Sequence, residues 1–169
     1  MNQVQQQEKS TDNRSNLAAD GRKLLTFTLR DEEYGIDLLR IQEIKGYLPI
    51  TPIPNTPEYI KGVINLRGSV IPVMSLRRRF GMEEAEYNKF TVIIVINVES
   101  KVVGLLVDGV SDVLSVPTED IQSPPEIVSS IDTAFLSGLV RKEERLVLLL
   151  NLEPLIGATE LASTSEEDA

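Results

Sequence analysis

Short runs of valine, isoleucine and leucine recur from residue 24 to residue 151, each closed within a few positions by glycine, proline, aspartate or asparagine. Runs this short, rich in β-branched residues and bounded by turn formers, are the pattern of strands. Strands are predicted at residues 24–29, 34–38, 41–45, 62–66, 70–74, 90–97, 101–108, 110–115, 138–140 and 145–151. Helix is confined to 76–80, stopped by Gly81, and 152–156, stopped by Gly157. So many short strands with so little helix between them specify an all-β sandwich or barrel and exclude a βαβ sheet.

An internal repeat divides this pattern in two. YGIDLLRIQEI (34–44) aligns with VGLLVDGVSDV (103–113), pairing Gly35 with Gly104, Ile41 with Val110, Glu43 with Asp112 and Ile44 with Val113 at one offset. Further on, YIKGV (59–63) resembles FLSGL (135–139) at a slightly larger offset, as an insertion between the matched blocks would produce. The fold expected is two small related β barrels, about 21–90 and 91–157, with a pseudo-twofold relation, a crevice between them and terminal strands open to exchange. The flanks, 1–20 and the acidic 158–169, lack a core-forming pattern and are expected to be mobile tails.

Composition narrows the chemistry. Among 169 residues there is no His, Cys or Trp. Ser-His-Asp and Cys-His catalysis, a phosphoryl-accepting His, Cys or His zinc sites and disulfides are therefore excluded, while carboxylate, Lys or Ser chemistry is not. No apolar run approaches a membrane span or a signal peptide core, so a soluble cytoplasmic protein without direct membrane insertion is expected. The net charge of −9 is unevenly placed, because residues 21–90 are mildly basic and residues 91–169 strongly acidic. That polarity suits contacts with unlike partners, or equally a solvated acidic face. The basic cluster Arg77, Arg78 and Arg79 stands without interleaved aromatics, so no nucleic-acid partner is expected.

Three stretches could carry function. In GVINLRGSVIPVMSLRRRFG (62–81), an Arg67-Gly68-Ser69 turn joins two strands and holds Arg67 on a rigid hairpin beside Asn65; Pro72 is expected at an edge or bulge. Arg67 is then either a charged anchor beside an apolar crevice or a solvated turn residue. In VVGLLVDGVSDVLSVPTEDI (102–121), Asp108 and Asp112, with Glu43, invite a general acid–base or hard-metal reading. No EF-hand spacing follows, however, and residues four apart on a strand stand about 13 Å apart, so turn and edge roles fit better. The third stretch is the loop with Pro124-Pro125, which stiffly presents Glu126 and Ile127, with a proline-rich connector at 47–60 as its counterpart.

Taken in order, FTLRDEEYGIDLLRIQEIKGY (27–47), NTPEYIKGVINLRGSVIPVMSLR (55–77), VVGLLVDGVSDVLS (102–115) and the proline-rich loop before LSGL (136–139) resemble the CheW family of chemotaxis coupling proteins across residues 22–157. The resemblance implies two five-stranded SH3-like or OB-like barrels with short helices, and an adaptor with no catalytic residues, cofactor or metal. Its implied partners are the cytoplasmic tips of methyl-accepting chemoreceptors and the regulatory domain of the histidine kinase CheA. The implied location is the receptor array beneath the inner membrane, with a monomer in isolation that joins rings or arrays with its partners. Carried over residue by residue, the receptor-facing set is Ile41, Glu43, Gly62, Asn65, Arg67, Val92, Val110 and Val113, and the kinase or ring contacts are Ile44, Tyr47, Gln122, Glu126 and Ile127. A family adaptor of another chemosensory pathway, serving surface motility or second-messenger output, is the alternative. Two positions depart from the common pattern: Ser75 stands where Asp is frequent, and Ile127 where an aromatic is.

Overall fold

The computed structural model describes residues 21–124 and 132–157. Ten strands are present among them: β1 Gly21–Leu29, β2 Glu32–Asp37, β3 Ile41–Gly46, β4 Ile60–Leu66, β5 Ser69–Ser75, β6 Val92–Val98, β7 Lys101–Val107, β8 Gly109–Pro117, β9 Leu136–Lys142 and β10 Arg145–Leu150. Helices α1 (Leu76–Arg79) and α2 (Leu152–Ile156) follow β5 and β10. Each predicted strand is found, with two informative shifts. The sixth starts at Val92 because Asn88 Oδ1 accepts from Phe90 N (2.7 Å) and Thr91 Oγ1 from Asn88 N (2.9 Å), closing a turn. The ninth runs on to Lys142 because Arg141 and Lys142 still pair with Leu146 and Arg145.

The strands form two five-stranded sheets, ordered β8-β1-β2-β10-β9 and β3-β6-β7-β5-β4. The repeat is visible in the registers. Ile41 pairs with Ile96 as Val110 pairs with Phe27, and both ladders shift at the next residue, so that Glu43 faces Val95 as Asp112 faces Thr26. Likewise Gly104 lies opposite Val73, and Gly35 opposite Leu149, in the parallel ladders β5–β7 and β2–β10. The halves trade strands in groups: β3, β4 and β5 of the first share a sheet with β6 and β7 of the second through the ladders β3–β6 and β5–β7, and β8, β9 and β10 of the second share one with β1 and β2 of the first through β1–β8 and β2–β10. Each sheet therefore takes strands from both sides of residue 90.

Apolar burial follows the exchange. One cluster lies within each sheet's own fold: Ile64, Ile71, Val73 and Ile93 in one, Leu24, Leu114, Val140 and Val147 in the other. The largest cluster draws on both sheets and both helices, joining Phe27, Tyr34, Ile36 and Leu148 to Met74, Ile94, Leu105, Leu76 and Leu155. A chain of rings crosses it, from Phe27 through Tyr34 and Phe80 to Phe135, with centroids 5.7–5.9 Å apart. The two halves thus meet over a buried core, where the sequence suggested a crevice. Arg79 of α1 fastens the same junction: its guanidinium lies over the rings of Tyr59 (4.3 Å) and Phe135 (4.6 Å), and its Nε donates to the Leu155 carbonyl of α2 (2.9 Å).

Pro72 belongs to an inner strand rather than an edge. It is tolerated because the ladder with β7 begins one residue later, at Val73, so no bond to β7 is missed. Gly62 has its own reason. The connector before β4 crosses over it, with Thr51 and Val63 exchanging backbone bonds of 2.9 and 2.8 Å, as Gln122 and Leu139 do in the second repeat. Gly62 has φ +145°, and a β-carbon there would stand 2.6 Å from the carbonyl carbon of Thr51. A Cβ at Gly46, by contrast, would meet nothing within 4 Å. Urea denaturation is therefore expected to show Gly62→Ala losing about 3 kcal/mol or more, and Gly46→Ala staying within about 0.5 kcal/mol of the parent.

Candidate functional site

The β4–β5 turn is built to display a cation. Arg67 (φ +50°) and Gly68 (φ +86°) take the left-handed conformations of a tight hairpin, and Asn65 Oδ1 accepts from Gly68 N at 3.0 Å. Held on this turn, the Arg67 side chain is 71% exposed and pairs with Glu43 on β3. Strands β3 and β4 are the two ends of their sheet's hydrogen-bonding order, so the ion pair spans from one to the other. A depression of about 560 Å³ lies there, walled by Gln42, Leu66, Val70, Pro72 and Val102 as well as the pair itself. The Arg67 hydrogen bond holds the Glu43 carboxyl below its ordinary value, with Lys45 3.7 Å away adding to the effect. Arg67 in turn is raised by Glu43, so both groups keep their charges at neutral pH.

The structure brings Glu43, Asn65 and Arg67 together and distributes the rest of the predicted receptor-facing set. Ile41 and Val92 are half-buried on adjoining strands β3 and β6, packed against the shared core. Val110 and Val113 are exposed on β8, the edge strand of the other sheet. Gly62 is buried beneath Thr51 and offers no side surface of its own, so it acts on any contact only through the backbone path it permits. Of the predicted kinase contacts, Ile44 is exposed on β3 at the position equivalent to Val113, and Tyr47 is exposed just beyond that strand. Gln122 is pinned to β9 by its bridge to Leu139. Glu126 and Ile127 lie outside the described residues.

Each carboxylate considered for catalysis is occupied by a different cation. Asp108 accepts from Arg77 Nε at 2.8 Å and from the Arg30 backbone N–H at 2.8 Å. Asp112 accepts from Arg145 Nη2 at 2.9 Å and from Thr26 Oγ1 at 2.7 Å, and Glu43 holds Arg67. Arg145 is shared further with Glu33. Burial raises Asp108, but the bonds from Arg77 and Arg30 outweigh it and leave the group below its usual value; Asp112 is lowered chiefly by Arg145 and then by Thr26. Carboxyls held ionised in this way are poor proton donors near neutrality. Among the described residues no cluster of three or more His, Cys, Asp or Glu could hold a metal ion, and no helix is long and apolar enough to cross a membrane.

The arginine run 77–79 is likewise divided among separate tasks. Arg77 binds Asp108, Arg78 pairs with Glu58 at 2.6 Å, and Arg79 joins the helices. Sequence inspection missed several exposed apolar residues, among them Leu39 (92% exposed), Phe90 and Val70. It also missed the contact of Tyr87 with Tyr47, whose ring centroids are 4.6 Å apart. Tyr87 lies in an irregular segment between α1 and β6, where no periodicity announces which side chain faces outward.

Across residues 23–160 the chain matches the family model described as CheW-like domain. It is 47% identical over 150 residues to the chemotaxis protein CheW of Klebsiella aerogenes, covering 88% of this chain and 90% of that protein. It is 42% identical over 144 residues to the chemotaxis protein CheW of Rhizobium meliloti, covering 85% and 93%. Among solved structures, the scaffolding protein TtCheW from Thermoanaerobacter tengcongensis superimposes with a TM-score of 0.75 at 37% identity, covering 79% of this chain and 86% of that one.

The Asp108–Arg77 pair has a measurable pH signature. A carboxyl depressed in the folded state adds stability that is complete above the unfolded value, near pH 4, and is lost as pH falls through the lower folded value. Asp108→Asn should therefore lower the urea midpoint most at pH 6–7, and the gap from the parent should shrink steadily below about pH 4.

Proposed function

The chain belongs to the CheW-like family of chemotaxis adaptors, and from that premise we propose that it couples the cytoplasmic tips of methyl-accepting chemoreceptors to the histidine kinase CheA, working by assembly and performing no chemistry itself. Ile41, Glu43, Asn65, Arg67, Val92, Val110 and Val113 form its receptor-facing set, with Gly62 fixing the backbone beneath. Ile44 and Tyr47, and the loop of Gln122, Glu126 and Ile127, face the kinase regulatory domain and close rings. Its place of work is the cytoplasmic face of the receptor array.

The observation that carries this proposal is Arg67, a charged side chain held 71% exposed on a tight hairpin at the rim of an open depression. A solvated turn residue needs no such holding. Glu43 and the Asn65-capped turn keep the guanidinium in one place before a partner arrives, which reduces the ordering cost of binding. Burial of an apolar receptor ridge against neighbouring aliphatic residues would add about 25 cal/mol per Å². Individual contacts of this kind are modest, and an array multiplies them through effective concentration without new contacts. Unlike faces on one rigid module permit the heterologous contacts from which rings close. Receptor state can then bias kinase state to the extent that the bridge binds the two states differently.

Reconstitution of receptor fragments, CheA and this protein tests the proposal. Arg67→Glu sets a second carboxylate against Glu43 and should cut kinase activation about tenfold or more while circular dichroism and the thermal midpoint stay near the parent's. Normal coupling by the folded variant would make Arg67 a solvated turn residue and remove the receptor-facing assignment.

A further inference from the structure

Ser75 is 2% exposed at the end of β5, yet its hydroxyl makes two polar contacts. Its Oγ accepts from Arg78 N at 3.3 Å, capping α1, and donates to Glu84 Oε1 at 2.7 Å. The first contact is an ordinary helix cap that Asp would serve as well. The second is specific to a hydroxyl, because an ionised Asp has no proton to donate and would face Glu84 as a like charge. Glu84 belongs to the irregular segment between α1 and β6, so this bond fixes that segment to the barrel.

The chain of contacts continues outward. The other oxygen of Glu84 pairs with Lys61 Nζ of β4 at 2.7 Å, and Tyr87 lies within electrostatic reach of both Lys61 and Glu84. Tyr87 lies against Tyr47, with centroids 4.6 Å apart, and both rings remain about two-fifths exposed, at 38% and 41%. A buried hydroxyl is thus linked through a carboxylate and an ammonium to a pair of half-exposed tyrosines. Tyrosine pairs are effective contact groups because each offers a large apolar face at the cost of few rotatable bonds. Their value depends on being held in place before binding.

We propose that Tyr87 completes, together with Tyr47, a preformed aromatic contact for the kinase regulatory domain, and that Ser75 is the positioning residue that holds it there through Glu84 and Lys61. The proposal rests on the kinase-facing role given to Tyr47 above. The matching surface is an apolar socket with a hydrogen-bond acceptor near its rim for a tyrosine hydroxyl.

Calorimetric titration of the full chain with the CheA regulatory domain separates the two ideas. Tyr47→Ala is expected to weaken binding about tenfold, and parental affinity in that variant would overturn the kinase-facing role itself. With Tyr47→Ala weakened, Tyr87→Ala should lose about tenfold and Ser75→Asp about fivefold. The double variant Ser75→Asp/Glu84→Gln restores a donor opposite a carboxylate and should return to within twofold of the parent. Contacts between the ring protons of Tyr47 and Tyr87, read by nuclear Overhauser effects, should vanish in Ser75→Asp and return in the double variant. Parental affinity in Tyr87→Ala, or in a folded Ser75→Asp chain, overturns the proposal, as does failure of the folded double variant to recover. If Ser75→Asp does not fold, Glu84→Ala carries the same test from the exposed side: a loss of about fivefold is expected, and parental affinity overturns the proposal.

Discussion

The mixing of strands from both halves in each sheet governs the rest of the molecule. Each sheet joins three strands of one half to two of the other, β3, β4 and β5 to β6 and β7 in one and β8, β9 and β10 to β1 and β2 in the other. Neither half can complete its five strands alone, and the halves cannot part without breaking two antiparallel and two parallel ladders. The shared apolar core follows, since traded strands bring the inner faces of both sheets over one another. Arg79 fits this arrangement. Its guanidinium, lowered in pKa by burial, keeps its charge by stacking on two rings and bonding to α2 carbonyls, so the junction is held by directional contacts as well as by burial.

For the proposed coupling role, this rigidity has a direct consequence. A bridge transmits a partner's state only if its own faces keep a fixed relation, and the exchange makes Ile44 on β3 and Val113 on β8 equivalent points on two linked sheets. Charge is organised with similar economy. Arg67, Arg77 and Arg145 each hold a different carboxylate, so the acids that might have suggested catalysis act as clamps on turns and strand edges. The pseudo-symmetry is not carried into the turn residues: Arg67-Gly68 tips one hairpin and Glu143-Glu144 the other. Related frames thereby present unlike surfaces, as the proposed binding of different partners requires.

Much of the fold was legible in the chain because short β-branched runs between turn formers have few alternatives, and the repeat placed Gly35 with Gly104 and Ile41 with Val110 correctly. The Arg67 turn was legible as well, since Asn65, Gly68 and the flanking strands define a hairpin locally. Other features escaped. Gly62 reads as part of a groove, but the connector running over it is a long-range crossing that local pattern does not encode. Pro72 reads as an edge residue, whereas the late start of the parallel ladder shelters it inside the sheet. Ser75 reads as a departure from a common pattern, and only the folded chain shows the carboxylate it meets nine positions later.

By itself, then, the sequence determined the number and placing of the strands, the twofold repetition, the displayed arginine and, by omitting His and Cys, the absence of the commonest reactive groups. These are matters of local conformation and composition, and short-range physics decides them. The tertiary structure alone decided which strands of the two halves share a sheet, where the shared core lies, which cation neutralises which acid and which carboxylate the buried Ser75 meets. The physical reason lies in the strand itself. A half-buried strand's alternation says that one face must be covered, but not which of the distant partners will cover it. Only the register of distant ladders, closing over a common core, selects between them.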